Sequence, residues 1–334
     1  MTREVLDLTA ALRPRLPSPL QPVEDERFTR HGIRLLLKRD DLIHPVLPGN
    51  KWRKLAPNLR AAAGRPVLTF GGAYSNHLRA TAAAGRLLGF PTIGIVRGAE
   101  LADRPLNPSL SQCAADGMHL LFVDRALYRR KAEPEVLAEI VSAAAGSRSP
   151  APAGPAIEDL HEEINKDINQ YIDKNVDEDL YVVPEGGSNA LAAQGCTHLG
   201  RELHRLADVV AVACGTGGTL AGLAAGLGPG QRALGFPVLK GGFLGDTVED
   251  LQRVAFGGRA GVWSLEERFH FGGYARTTTE LSAFAEDFEA RHRLPVERVY
   301  VAKMLYGLTA LAAEGAFPPG TTVAAVITGR EPSR

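Results

Sequence analysis

The chain has 334 residues, 38 Lys and Arg against 38 Asp and Glu, 45% hydrophobic residues, 36 Gly and 3 Cys. This length suits one or two globular domains, and zero net charge excludes polyanion binding by bulk charge, so neither nucleic acid nor a membrane surface is an expected partner. There is no uncharged apolar run of about 20 residues and no secretory core in Met1–Arg15, and Cys113, Cys196 and Cys214 lack CxxC spacing; a cytoplasmic protein with free thiols and no metal site is expected.

Short runs rich in Val, Ile and Leu recur along the chain and end in glycine or polar loops: IRLLLKRDD near Ile33, PVLTFGG near Val67, TIGIVRG near Ile93, HLLFVD near Leu121, LYVVPEGG near Val182, VVAVACGTGG near Val210 and VAAVITG near Val326. Apolar runs without alternation read as strands buried on both faces. Helical stretches rich in Ala and Leu lie between them, at 75–88, 189–206, 216–227, 279–291 and 303–314. The alternation predicts an α/β fold with mainly parallel sheet, whose ligands bind beyond the carboxyl ends of the strands. The Ala, Gly, Ser and Pro run at 144–155 reads as a linker, and the acidic stretch 161–180 as a solvated helix with Ile164, Ile168 and Ile172 on its buried side.

Four strand-to-helix loops carry the candidate chemistry. Gly215-Thr216-Gly217-Gly218-Thr219 follows an apolar strand and opens a helix, where converging backbone N–H groups suit an anion. It lacks the Lys-Ser or Lys-Thr of a P-loop, and no acidic residue stands where a dinucleotide ribose would need one, so a monophosphate group fits better. Gly49-Asn50-Lys51-Trp52 presents one of only eight lysines of the chain beside a glycine, as a nucleophilic amine or as a surface lysine at a helix start. Gly71-Gly72-Ala73-Tyr74-Ser75-Asn76-His77 could cap a helix or hold a carboxylate, and Glu185-Gly186-Gly187-Ser188-Asn189 repeats the pattern.

Taken in order, GNKWRKL, GGAYSNH, PEGGSNALAAQGC, ACGTGGTLAGL, HFGGYA and VYVAKMLYGL resemble the 1-aminocyclopropane-1-carboxylate deaminase and D-cysteine desulfhydrase family of pyridoxal 5'-phosphate enzymes, over nearly the whole chain. The resemblance implies the tryptophan synthase β-like fold, fold type II, with two open, mainly parallel sheets flanked by helices. It also implies a large cofactor domain of residues 1–52 and 176–334, a small domain of residues 53–175, and a homodimer. By the same resemblance Lys51 would bond covalently to the cofactor aldehyde. The backbone of Gly215, Thr216, Gly217, Gly218 and Thr219 would hold its phosphate, and Asn50 and Cys214 would also contact the cofactor. Asn76 would meet its phenolic oxygen, and Ser75, Asn76 and His77 would take the substrate carboxylate. Tyr274 and Tyr300 match the two active-site tyrosines, and Lys51 or Ser75 would handle the Cα proton.

Two positions depart from the family pattern. Val301 stands where the deaminases have a glutamate and the desulfhydrases a threonine, which leaves Thr328 as the candidate partner of the ring nitrogen; Arg330 replaces the second glycine of the terminal TGG motif. The expected activity is therefore α,β-elimination on a small amino acid, most readily D-cysteine to pyruvate, sulfide and ammonia. The alternatives are cyclopropane ring-opening to 2-oxobutyrate and ammonia, or a cofactor-binding paralogue with little catalysis.

Overall fold

The computed structural model describes residues 8–47, 49–146 and 180–329. Contacts divide the chain into two units, one of Asn58–Asn189 with the chain start up to Ala11, the other of Leu12–Pro57 and Ala190–Arg334.

The second unit is built on a six-stranded sheet in the order β1-β2-β10-β7-β8-β9. Its strands are β1 (Leu20–Val23), β2 (Arg34–Lys38), β7 (Val209–Cys214), β8 (Arg232–Pro237), β9 (Trp263–Leu265) and β10 (Thr322–Val326). Only the β1–β2 pair is antiparallel. Successive residues of the central strands enter two separate cores. Val209, Ala211 and Ala213 join Leu35, Leu37, Val323 and Ala325 on one face, while Val210, Val212 and Cys214 join Leu36, Ala324 and Val326 on the other. Both faces are covered, so every position is apolar and the sequence shows no alternation.

The first unit carries a four-stranded parallel sheet in the order β5-β4-β3-β6. Its strands are β3 (Val67–Gly71), β4 (Thr92–Arg97), β5 (Met118–Val123) and β6 (Tyr181–Val183). Leu68, Phe70, Ile93, Ile95 and Val182 face Val136, Leu137 and Ile140, and the opposite face packs on Leu78, Ala82, Leu110 and Cys113.

The described residues hold nine helices of eight residues or more: α1 (Asn50–Ala62), α2 (Asn76–Leu88), α3 (Pro108–Ala115), α4 (Pro134–Gly146), α5 (Ala190–Glu202), α6 (Gly218–Gly226), α7 (Leu244–Phe256), α8 (Thr279–His292) and α9 (Val301–Ala313). None is long and apolar enough to cross a membrane.

All seven expected strands form. Strands β1, β8 and β9 were not expected, because LQPV and RALGFP carry proline or glycine and WSL is three residues long. The expected linker at 144–155 begins too early, since Ala144 is fully buried near the end of α4. Its remainder from residue 147, the acidic stretch up to residue 179, Pro48 and Arg330 lie outside the described residues.

Candidate active site

Lys51 sits in the first turn of α1, not in the loop before it. The loop closes tightly there. Gly49 has φ +64°, and a Cβ on it would lie 1.7 Å from the carbonyl oxygen of Thr328, so a side chain is excluded by both backbone conformation and space. That contact brings the end of β10 against the start of α1. Lys51 Nζ donates to Asn50 Oδ1 at 2.8 Å, and Asn50 Nδ2 donates to Thr219 Oγ1 at 3.0 Å. The lysine is thus tied through one amide to the glycine loop between β7 and α6.

That loop has the features of an anion cradle. Gly217 occupies the N-cap of α6 in the left-handed region (φ 75°, ψ −22°) and supplies no side-chain oxygen to the first turn. A Cβ there would stand 2.8 Å from Val248 Cγ2. A helix start without a capping side chain, with Gly218 and Thr219 buried behind a glycine turn closed by Gly218 N–H on Thr216 O at 3.0 Å, turns the positive end of α6 toward an anion. The residues therefore fit a phosphate-bearing group on their own geometry. Cys214 ends β7 as a buried thiol whose pKa is pushed up to about 12 by burial, so it lines this region as a neutral group.

Desolvation lowers the Lys51 pKa to about 8, against opposing attraction from Cys196 and Glu297. Lys54, one turn on and only 3% exposed, is lowered to about 7 by desolvation and by the charge of Lys51, against Cys196 and Cys214. Such an amine near neutrality is a better nucleophile than an ordinary lysine. Helix α1 is fixed from behind by Arg53, which forms a bidentate pair with Asp40 (2.8 Å each) and reaches Glu202 at 2.9 and 3.0 Å. Lys38 pairs with the same Glu202 at 2.6 Å and donates to Ser18 O.

Tyr300 precedes α9. The Glu297 carboxylate accepts from the backbone N–H groups of Val299, Tyr300 and Val301 at 2.8, 2.7 and 3.3 Å, which fixes the tyrosine's backbone at the helix start. The Tyr300 hydroxyl lies 3.2 Å from where a Cβ on Gly215 would stand. Tyr274 meets Tyr300 edge-on with ring centroids 6.0 Å apart. Val301 is fully buried in the core and offers no hydrogen bond. Thr328 is half-buried at the end of β10.

The remaining residues belong to the unit of the four-stranded sheet. Ser75 is the N-cap of α2, its Oγ accepting from Leu78 N at 3.2 Å, and Asn76 is exposed in the first turn. His77 is 2% exposed; its Nε2 meets Thr69 Oγ1 at 2.8 Å while that hydroxyl donates to Val183 O at 2.8 Å, so the ring nitrogen is the donor. Its Cε1 lies 2.8 Å from the Cβ position of Gly187, which binds the Ser75 loop to the Glu185–Asn189 loop. The imidazole is therefore engaged in holding two loops of this unit.

Lys54, Glu297, Lys303 and the Arg53 cluster are buried polar groups around the candidate site that sequence reasoning missed. The scarcity of lysines singled out Lys51 and gave no signal for Lys54 or Lys303, whereas an acidic residue three before a helix-opening Tyr-Val pair could have pointed to Glu297.

A lysine amine near neutrality, an uncapped helix start and strand-end loops in a parallel α/β fold define a pyridoxal-phosphate type of enzyme. A family model described as pyridoxal-phosphate dependent enzyme matches residues 13–329, and the chain belongs to that family. A Pyrococcus furiosus relative, provisionally named a 1-aminocyclopropane-1-carboxylate deaminase, is 29% identical over 303 residues, 85% of this chain and 81% of the relative. The Arabidopsis thaliana bifunctional D-cysteine desulfhydrase/1-aminocyclopropane-1-carboxylate deaminase is 30% identical over 298 residues, 83% of this chain and 67% of its own length. A crystal structure described as an ACC deaminase homologue shares the fold at a TM-score of 0.72, with 24% identity over 96% of this chain and 94% of its own.

Proposed function

We propose that the protein eliminates a β-substituent from a small amino acid, with D-cysteine as the leading substrate, and releases pyruvate, sulfide and ammonia with uptake of one water. The observation that carries this reading is the Lys51 amine, half-buried, lowered to about 8 and joined through Asn50 to the uncapped start of α6.

In this reading the N–H groups of Gly215–Thr219 hold the cofactor phosphate and Asn50 keeps Thr219 and Lys51 in fixed register. Lys54 adds positive charge behind the cradle, since an anion there favours its protonated form. Thr328 would hold the ring nitrogen, and Asn76 the phenolic oxygen. Bound there, pyridoxal 5'-phosphate supplies the electron sink that makes the substrate's Cα proton removable. Lys51 would be the base for that proton. The Ser75–His77 loop would take the substrate carboxylate through the start of α2, and Tyr274 and Tyr300 would complete the substrate contacts. A homodimer accompanies the reading by family resemblance, and sedimentation measures it.

Ring-opening of 1-aminocyclopropane-1-carboxylate is the second reading, supported by the names of the relatives and opposed by Val301, whose buried side chain leaves the ring nitrogen without an acidic partner. Assay of the cofactor-loaded protein for sulfide and keto acid with D-cysteine, L-cysteine and the cyclopropane substrate separates the two. Pyruvate with equimolar sulfide from D-cysteine supports elimination, and 2-oxobutyrate supports ring-opening. No product from any of the three, in protein that carries cofactor, refutes both and favours a binding protein with little catalysis.

A further inference from the structure

Lys303 lies in the first turn of α9 and is fully buried. Its Nζ donates to the carbonyl oxygens of His270 and Gly273 at 2.9 and 2.7 Å, and among the described residues it makes no ion pair. A buried ammonium with two carbonyls and no carboxylate at bonding distance is costly, and desolvation lowers its pKa to about 8, with Glu297 opposing. Charge in such a place needs a reason.

The segment it grips is unusual. Phe271 (φ 51°), Gly272 (85°), Gly273 (114°) and Ala275 (54°) all sit in the left-handed region, and two of them carry side chains. The turn's own bonds, Gly273 N to His270 O at 3.0 Å and Arg276 N to Gly273 O at 3.2 Å, use the same two carbonyls that Lys303 holds. One turn along α9, Tyr306 receives the Phe271 ring edge-on at 5.0 Å. Within this turn stands Tyr274, 41% exposed, its ring edge-on to that of Tyr300. Two contacts from α9 thus hold the turn that sets Tyr274 against Tyr300.

We propose that Lys303 is the positioning residue for Tyr274: its ammonium clamps the His270 and Gly273 carbonyls so that the turn keeps the phenol over the cofactor cradle. The inference rests on the elimination reading for the role of Tyr274, but the clamp itself does not. Fully buried, with two of its three N–H donors on these carbonyls, Lys303 is assigned a positioning role and not that of cofactor ligand or base.

The test is a double-mutant cycle of Lys303→Met and Tyr274→Phe, with hydrogen exchange read beside turnover. Lys303→Met is expected to lower kcat/KM by about 10-fold or more, and by less than about 3-fold when Tyr274 is already Phe. Equal losses in both backgrounds would overturn the positioning role, because a merely structural lysine would cost the same with or without the phenol. The amides of Gly273 and Arg276 are expected to exchange faster in Lys303→Met while those of Leu308 and Leu311 keep their protection. Unchanged loop exchange, or acceleration throughout α9, would overturn the clamp. Should Lys303→Met fail to fold, Lys303→Gln, which retains one donor, gives the same comparison. A protein that turns over no amino acid counts against the elimination reading alone, and the exchange result still decides the clamp.

Discussion

If Lys51 has a pKa of about 8, its reaction with the cofactor aldehyde has a calculable pH profile. At pH 7 about 9% of such an amine is neutral, against about 0.03% for an ordinary lysine at 10.5, roughly a 300-fold difference in reactive form. The rate of cofactor capture by the stripped protein is then expected to rise tenfold per unit at low pH, bend near 8 and become flat above about 9. An ordinary lysine would continue to gain to beyond pH 10. The direction follows from the cause: burial penalises the ammonium, and Cys196 and Glu297 only partly offset it. The measurement is the pH dependence of the absorbance change on mixing stripped protein with pyridoxal 5'-phosphate, with Lys51→Ala as blank. A rate still climbing steadily between pH 9 and 10.5 would refute the desolvation argument.

Other outcomes follow from the same geometry. Arg53→Met leaves Asp40 buried without its cation and is expected to cost about 3–5 kcal/mol in urea unfolding; a loss below about 1 kcal/mol would show that the cluster does not anchor α1. Gly49→Ala sets a Cβ 1.7 Å from the Thr328 carbonyl at positive φ, and about 3 kcal/mol or more of destabilisation is expected, with a wild-type melting curve as the contradicting result. Lys303, with its folded pKa lowered to about 8 from 10.5, has released its proton in the folded chain while the unfolded chain still holds it between those values, so its share of stability rises with pH across that window. The stability advantage of wild type over Lys303→Met, both without cofactor, should widen from pH 8 to pH 10, and parallel pH profiles would contradict it.

The sheets were legible because strands covered on both faces must be apolar at every position, as Val209–Cys214 and Val323–Val326 are. Edge strands gave no such signal: β1 and β9 have one neighbour each, so LQPV and WSL need not be continuously apolar. At the candidate site, glycine loops marked the strand ends because Gly49 and Gly217 answer to local backbone demands that sequence spacing records. What remained hidden depends on burial. Nothing local distinguishes Lys54 or Lys303 from a surface lysine, and Arg53 acquires meaning only when Asp40 and Glu202, distant in sequence, close on it. His77 shows the converse, since its motif suggested a ligand while the fold engages its ring with Thr69 and beside Gly187.

The attachment of the cofactor to Lys51 is the claim on which the rest depends. Borohydride reduction of the loaded protein followed by peptide mass mapping tests it most directly. One reduced cofactor adduct is expected, on the peptide that carries Lys51, and lost in Lys51→Ala. An adduct on Lys54 or Lys303, or none in protein that retains cofactor, would contradict it.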